Sequence, residues 1–437
     1  MTSVTSTRRT GGVFEGQLSD GCAFRIAVPD NWKGWLVSEF DLFDDPADVV
    51  VEQWILEQGH ALARHSREGR RWHLERGLGN HDELLARFAE RFGSPEQTLV
   101  WGCSQGGLLT RLAIERDPGR YSGAIPMDGG GAGSLAVFSM GFHDAFVLSA
   151  LLDPQAPLTE LHDDPVAVAG RLIGVIKARL PDPAVRARLA LAAGITMRPA
   201  WTDPSLPEPE EADLDACLDS QVRGLLDDLG QSAGHRVTLE RHAGAAFVGN
   251  DGIDYGVLLS RSGAWERVQL AYDLCGLSLQ EDLATLETAP RLVANEGARD
   301  AVSRGAEPRG HVSCPVLTMK SLGDPNAVPP EEHSYRELLR RNGNVDLLRQ
   351  AWVHNAGHVN FTAGELAAAV DVLIERVEQD RWTGQTEPRR LNERAAVLGQ
   401  GTELDLTVLR RGAAAAAASR FTAYAPGPHV LYDATWA

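Results

Sequence analysis

The chain opens with short alternating runs separated by turn residues. GVFEGQL, the turn Ser19-Asp20-Gly21, CAFRIAVP, and then Asp30-Asn31 before WKGWLVSEF read as an antiparallel hairpin feeding an inner strand. VVVEQWILEQG has helical spacing of its apolar positions with Gly59 at its end, and HALARHS reads as another short strand. The spacing then predicts a helix from about His81 to Phe92, the apolar strand TLVWGC, an amphipathic helix from Gln105 to about Glu115, and the strand SGAIPMDGG. Alternating units of this size predict an α/β protein, a mostly parallel sheet covered by helices on both faces.

The alternation stops at about Gly131. From there to Gly310 the pattern is helical, as in AVAGRLIGVIKARL and RARLALAAG, with one proline- and acid-rich stretch, DPSLPEPEEADLD. This reads as an inserted helical lid. The β/α rhythm resumes with CPVLTMKSLGD, the helix EEHSYRELLRRNG closed by Gly343, the strand DLLRQAWVHNAG and the helix GELAAAVDVLIERVEQ. Beyond Asp380 come the strand-like pieces LDLTVL and HVLYDATW and a run from Ala413 to Ala418 that reads equally as helix or linker. The expected organisation is a first half of the core over 1–130, a lid over 131–310, a second half of the core over 311–379, and an extension over 380–437.

Composition narrows the function. A chain of 437 residues, 43% hydrophobic, buries a substantial core, and 42 basic against 60 acidic residues give a net charge of −18. That charge repels phosphate backbones and anionic lipid, so neither nucleic acid nor membrane is expected as a partner. Cys22, Cys103, Cys217, Cys275 and Cys314 are scattered without C-x-x-C spacing, which fits a reducing compartment. The polar start MTSVTSTRRTGG is not followed by a signal-like apolar stretch, and no uncharged apolar run is long enough to span a bilayer. A soluble, cytoplasmic protein is the expectation.

The chemistry centres on Ser104. The apolar strand delivers it into a turn flanked by Gly102 and Gly106, and a helix follows at once. A chain with 44 glycines produces G-x-S-x-G by chance, so the strand before and helix after carry the reading: a strained turn that exposes a nucleophilic hydroxyl. A serine hydroxyl needs a base, and the base an acid to hold its tautomer. Asp324 lies in the loop after PVLTMKSLG and His358 in the loop after LLRQAWVHNAG, both at carboxyl ends of strands, where ligands gather in open α/β sheets. Their rivals are turn formation before Pro325 for Asp324, and His354 for His358. Glu331 and Glu332 read as charges complementing a helix start.

GCSQGG, SLGDPNAVP and GHVNF together resemble the α/β-hydrolase family, over about residues 13–130 and 312–379. The resemblance implies Ser104 as nucleophile, Asp324 as acid, His358 as general base, and an oxyanion hole with the backbone N–H of Gln105 as one donor. Many relatives carry a His-Gly pair after the third strand. Here the stretch is Ser38-Glu39-Phe40-Asp41, so the N–H of Phe40 is the candidate second donor, and Glu39 and Asp41 are candidate substrate-contacting acids. No metal-binding histidine spacing is present, and GGGAG from Gly129 to Gly133 lacks phosphate-loop features, so no cofactor and no metal are expected. The expected activity is hydrolysis of an ester, lactone or related acyl bond of a small molecule through an acyl-enzyme. Two alternatives stand beside it: an acyltransferase or cyclase, since the elbow and insertion also resemble homoserine acyltransferases, and a ligand-binding member without hydrolysis. The oligomeric state is not legible.

Overall fold

The structure is a computed structural model that describes residues 11–42, 46–67, 72–155, 164–398, 403–405 and 419–432. Strands β1 (Gly12–Gln17) and β2 (Ala23–Val28) form the opening hairpin, closed by a turn in which the Cys22 N–H donates to Asp20 Oδ1 at 2.9 Å. The chain then alternates through β3 (Trp35–Glu39), α1 (Pro46–Glu57), β4 (Ala61–His65), α2 (Leu74–Phe92), β5 (Gln97–Cys103), α3 (Gln105–Arg116) and β6 (Gly123–Met127). Strands β3, β4 and β6 are buried along their whole length, as inner strands of a sheet covered on both faces should be, and β3 and β4 carry the buried polar residues Ser38, Glu39, Arg64 and His65 at their ends.

Helix α2 begins seven residues before the predicted start. Gly77 and Gly79 weaken the helical pattern in its first turns, but Gly77 is there for packing: a Cβ on it would come within 2.9 Å of Leu109 on α3.

After β6 the chain leaves the sheet for eight helices among the described residues: α4 (Gly133–Leu152), α5 (Pro165–Arg179), α6 (Pro183–Ile195), α7 (Leu214–Ala243), α8 (Tyr255–Ser262), α9 (Trp265–Cys275), α10 (Leu279–Thr288) and α11 (Glu296–Ser303). Aspartates 164, 182, 213 and 254, Ser278 and Asn295 cap six of them by accepting a backbone N–H. These helices enclose a core of their own, including Leu172, Leu189, Leu225, Tyr255 and Leu259. By length and composition α4 could cross a membrane, but it carries Asp144 and 78% of its apolar window is buried among the other helices.

The chain returns through β7 (Val316–Gly323), α12 (Pro330–Arg341), β8 (Leu348–Ala356), the short β9 (Asn360–Thr362) and α13 (Ala363–Gln379), whose first turn is fixed by a reciprocal Thr362–Glu365 capping box. Helix α14 (Pro388–Leu398), β10 (Glu403–Asp405), which pairs with β9, and β11 (Phe421–Thr422) complete the described elements. The nine-stranded sheet runs β1-β2-β4-β3-β5-β6-β7-β8-β11, parallel from β4 to β8 and antiparallel at both ends. Helices α1 and α13 pack one face through Ile55, Val370 and Leu373, and α2, α3 and α12 pack the other through Leu78, Phe88, Leu109 and Tyr335. The expected sheet with helices on both faces is present.

The end of the chain departs from the sequence reading. Within HVLYDATW, residues 430–432 are helical rather than a strand, and Val430 and Leu431 are buried in the core of the inserted helices, while 433–436 lie outside the described residues. The alanine run 413–418 lies outside the described residues.

Candidate active site

Strand β5 ends at Cys103 and helix α3 starts at Gln105, leaving Ser104 alone between them at φ 56° and ψ −120°. A non-glycine residue there is strained, and the close approach of strand and helix explains its neighbours. A Cβ on Gly102 would stand 2.6 Å from the backbone of Gly106, and one on Gly106 would strike the Asp41 carboxylate. Cys103 points into the sheet's core, and none of the five cysteines forms a disulfide.

Three distant segments meet at this turn. The Ser104 hydroxyl lies 2.7 Å from His358 Nε2, and His358 Nδ1 lies 2.9 Å from Asp324 Oδ1. Asp324 also accepts the backbone N–H groups of Asn326 and Ala327 on Oδ1, at 2.8 and 3.1 Å, and the Lys320 ammonium on Oδ2 at 2.7 Å. This is a carboxylate built to stay ionised. Burial pushes its pKa up, but the charges of His358 and Lys320 and their hydrogen bonds outweigh burial and hold it below the ordinary value. For His358 burial works downward, and the charge and hydrogen bond of Asp324, with Asp128 behind it, carry the imidazole above its ordinary value.

Asp128 and Lys320 were not singled out from the sequence. Asp128 is fully buried at φ 41°, accepting the Ser321 N–H at 2.8 Å, the Ser321 hydroxyl at 2.7 Å and the Val359 N–H at 2.9 Å. It therefore ties the end of β6 to β7 and to the residue after His358. Lys320, buried between Asp128 and Asp324, is a single charge inside an apolar strand, and that oddity was the available signal. His354, the rival histidine, faces outward and pairs with Glu208 at 2.9 Å.

The stretch after β3 requires a correction. The backbone N–H of Phe40 donates to the Trp101 carbonyl at 3.1 Å, extending the β3–β5 ladder, so Phe40 does not supply the second oxyanion donor. Its ring is buried against His81, centroids 4.1 Å apart. Asp41 is buried too: Oδ2 accepts the Cys103 N–H and Oδ1 accepts Arg67 Nε, both at 2.9 Å, while another Arg67 nitrogen donates to the Gln105 side chain. Asp41 thus braces the serine turn from beneath. Glu39 is buried at the last position of β3.

Glu331 and Glu332 do lie in the first turn of α12, but they are buried rather than solvated. Glu332 pairs with Arg111, which also donates to the Gly129 carbonyl at 2.8 Å and so pins the glycine-rich stretch. Glu331 has no hydrogen-bond partner on either oxygen, and burial, opposed by Lys320 but reinforced by Asp324 and Glu332, pushes its pKa up to about 7. Among the described residues, no group of three or more His, Cys, Asp or Glu side chains is arranged to hold a metal ion.

Compared with known proteins, the chain is 31% identical over 422 residues to an o-phthalyl amidase of Xanthobacter agilis, a match covering 89% of this chain and 92% of that protein. No family model matches. Among solved structures, Est1E from Butyrivibrio proteoclasticus aligns at TM-score 0.36 and 11% identity, over 84% of this chain and 99% of that one. An esterase of Pyrococcus furiosus aligns at TM-score 0.38 and 10% identity, over 84% and 91%.

Proposed function

The chain belongs to the α/β-hydrolase family, with the o-phthalyl amidase as a relative along most of its length, and from that premise we propose that it hydrolyses a carboxylic acyl bond through an acyl-enzyme on Ser104. His358 is the general base and Asp324 the acid that orients it. The observation that carries this reading is the unbroken line from Asp324 Oδ1 through both imidazole nitrogens to Ser104 Oγ, at 2.9 and 2.7 Å.

In the first step Nε2 takes the serine proton as Oγ attacks the acyl carbonyl, and the carbonyl oxygen becomes negative. The N–H of Gln105, at the positive end of α3, is the proposed donor to that oxygen. His358 then returns the proton to the leaving group, and water repeats the sequence to free the acid. An amine leaves only when protonated, and an imidazolium favoured by Asp324 suits that demand. This and the relative's name support an amide of an aromatic acid as substrate, with esters of the same acid also cleaved.

Paired substrates test it: an o-phthalyl anilide and the matching phenyl ester. Both should be hydrolysed, the ester with a burst of phenol equal to the enzyme, and Ser104→Ala should remain folded while losing about four to six orders of magnitude in kcat. Turnover surviving in Ser104→Ala, or a wild-type protein that no serine-reactive phosphonate labels, would overturn the reading. Cleavage of the ester alone would remove the amide from it.

A further inference from the structure

The inserted helices pack closely on the acid loop at two neighbouring positions. The segment leaving α6 turns at Met197, φ 57°, and crosses the end of β7 so closely that the Trp201 carbonyl occupies the place a Cβ on Gly323 would need. Helix α7, to which that segment is bonded through Thr202 and Ser220, approaches until a Cβ on Gly224 would lie 2.6 Å from the Pro325 side chain. Gly323 and Pro325 are the chain neighbours of Asp324, and Val328 a few residues on packs into the inserted helices' own core.

Arg198 joins these elements. It is fully buried, donating to the Pro325 carbonyl, to Asp144 of α4, and to Asp228 of α7 at 2.7 Å. Asp144 is held in turn by the Thr196 hydroxyl at 3.0 Å. Desolvating a guanidinium and two carboxylates is a poor route to stability alone, whereas a planar donor with fixed directions suits holding one carbonyl in place. That carbonyl begins the turn whose next two N–H groups, from Asn326 and Ala327, orient the carboxylate of Asp324.

We propose that Arg198 is a positioning residue: by fixing the Pro325 carbonyl against α4 and α7 it sets the orientation in which Asp324 holds His358, so that the helical insertion takes part in the chemistry. The proposal rests on the reading of Ser104, His358 and Asp324 given above.

Two variants test it by different routes. Arg198→Met removes the latch, and Gly224→Ala pushes on Pro325 while leaving every charge in place and giving α7 a better helix former. The charged groups facing His358 are Asp324, Asp128 and Lys320, and neither variant removes them. A slackened Asp324 bond lowers the imidazole pKa, so the acid limb of kcat/KM should move to lower pH, by about half a pH unit, in both. Both should lose about tenfold to a hundredfold in kcat per phosphonate-titrated site, with KM nearly unchanged. Arg198→Lys, keeping one donor, should recover part of the loss, and with Gly224→Ala it carries the test if Arg198→Met does not fold. Folded variants with wild-type kcat and an unmoved acid limb overturn the proposal. So does activity falling only in step with the number of titratable sites, which marks Arg198 as purely structural. In either case wild-type labelling by phosphonate leaves Ser104 standing, whereas its failure would sink the triad itself.

Discussion

At Ser104 the backbone sits in a conformation that costs about 1–3 kcal/mol, and it is held there by the Asp41 carboxylate beneath Cys103 and by the Ser104 N–H, which donates to the Met127 carbonyl at 2.8 Å. Glu331 is a second expensive residue, and its cost depends on pH. Its folded-state pKa, about 7, stands above the ordinary 4.5, so the stability it permits is full below 4.5 and is lost as the pH rises toward and past 7. Glu331→Gln should therefore gain on the wild type between pH 5 and pH 8, by at most about 3 kcal/mol, in chemical-denaturation midpoints at the two values. A gain independent of pH would count against the assignment. Ser104, Asp324 and His358 were legible because each sits in a strand-end loop with recognisable neighbours. The Phe40 amide was not, because its partner is set by the register of β3 beside β5, where Glu39 stands opposite Trp101. The burial of Glu331 was hidden for the same reason, since a first-turn glutamate looks identical in sequence whether water or Lys320 lies beyond it.

Elements were readable where periodicity was strong and misread where glycine served packing. The sequence reading started this helix at about His81, and Gly77 and Gly79 interrupt the pattern in the turns before it, where a Cβ on Gly77 would meet Leu109 of the next helix. Contact of this kind is also exacting at Gly107 on α3, where a Cβ would stand 2.6 Å from the Met127 carbonyl. Gly107→Ala should destabilise by about 1–3 kcal/mol, even though alanine is the better helix former, because a backbone carbonyl in a strand cannot yield as a side chain would. An unchanged or raised melting temperature would show that α3 shifts freely. The tail strand β11 was out of reach: two residues paired with β8 leave no periodic trace, yet they cover what would otherwise be an open sheet edge.

In the whole molecule, the sheet and the inserted helices have cores of their own, and several attachments cross between them, His354 to Glu208 and Trp72 to Ser134 among them. Arg198 reaches Pro325, Val328 enters the helical core, and Val430 and Leu431 join it from the chain's far end after β11 has paired with the sheet. Two bodies tied at these points should melt as one, with tryptophan fluorescence and far-ultraviolet circular dichroism tracing coincident curves; two separated transitions would show the ties to be weak. The sequence displayed the change of rhythm at Gly131 and Gly310 plainly. It could not display the ties, since these join residues far apart in the chain, Arg198 and Pro325 being 127 positions apart.

The helical insertion leaves from β6 and returns to β7, and these strands are neighbours in the sheet. Topologically it is a detour that could be exchanged for another without rethreading any strand, which makes the position an inviting place to graft a foreign cap and alter what the enzyme accepts. The latch on Pro325 makes that exchange costlier than the topology suggests. A transplanted cap would have to bring its own guanidinium, or some equivalent grip, or the graft would inherit a new specificity together with a loosened engine.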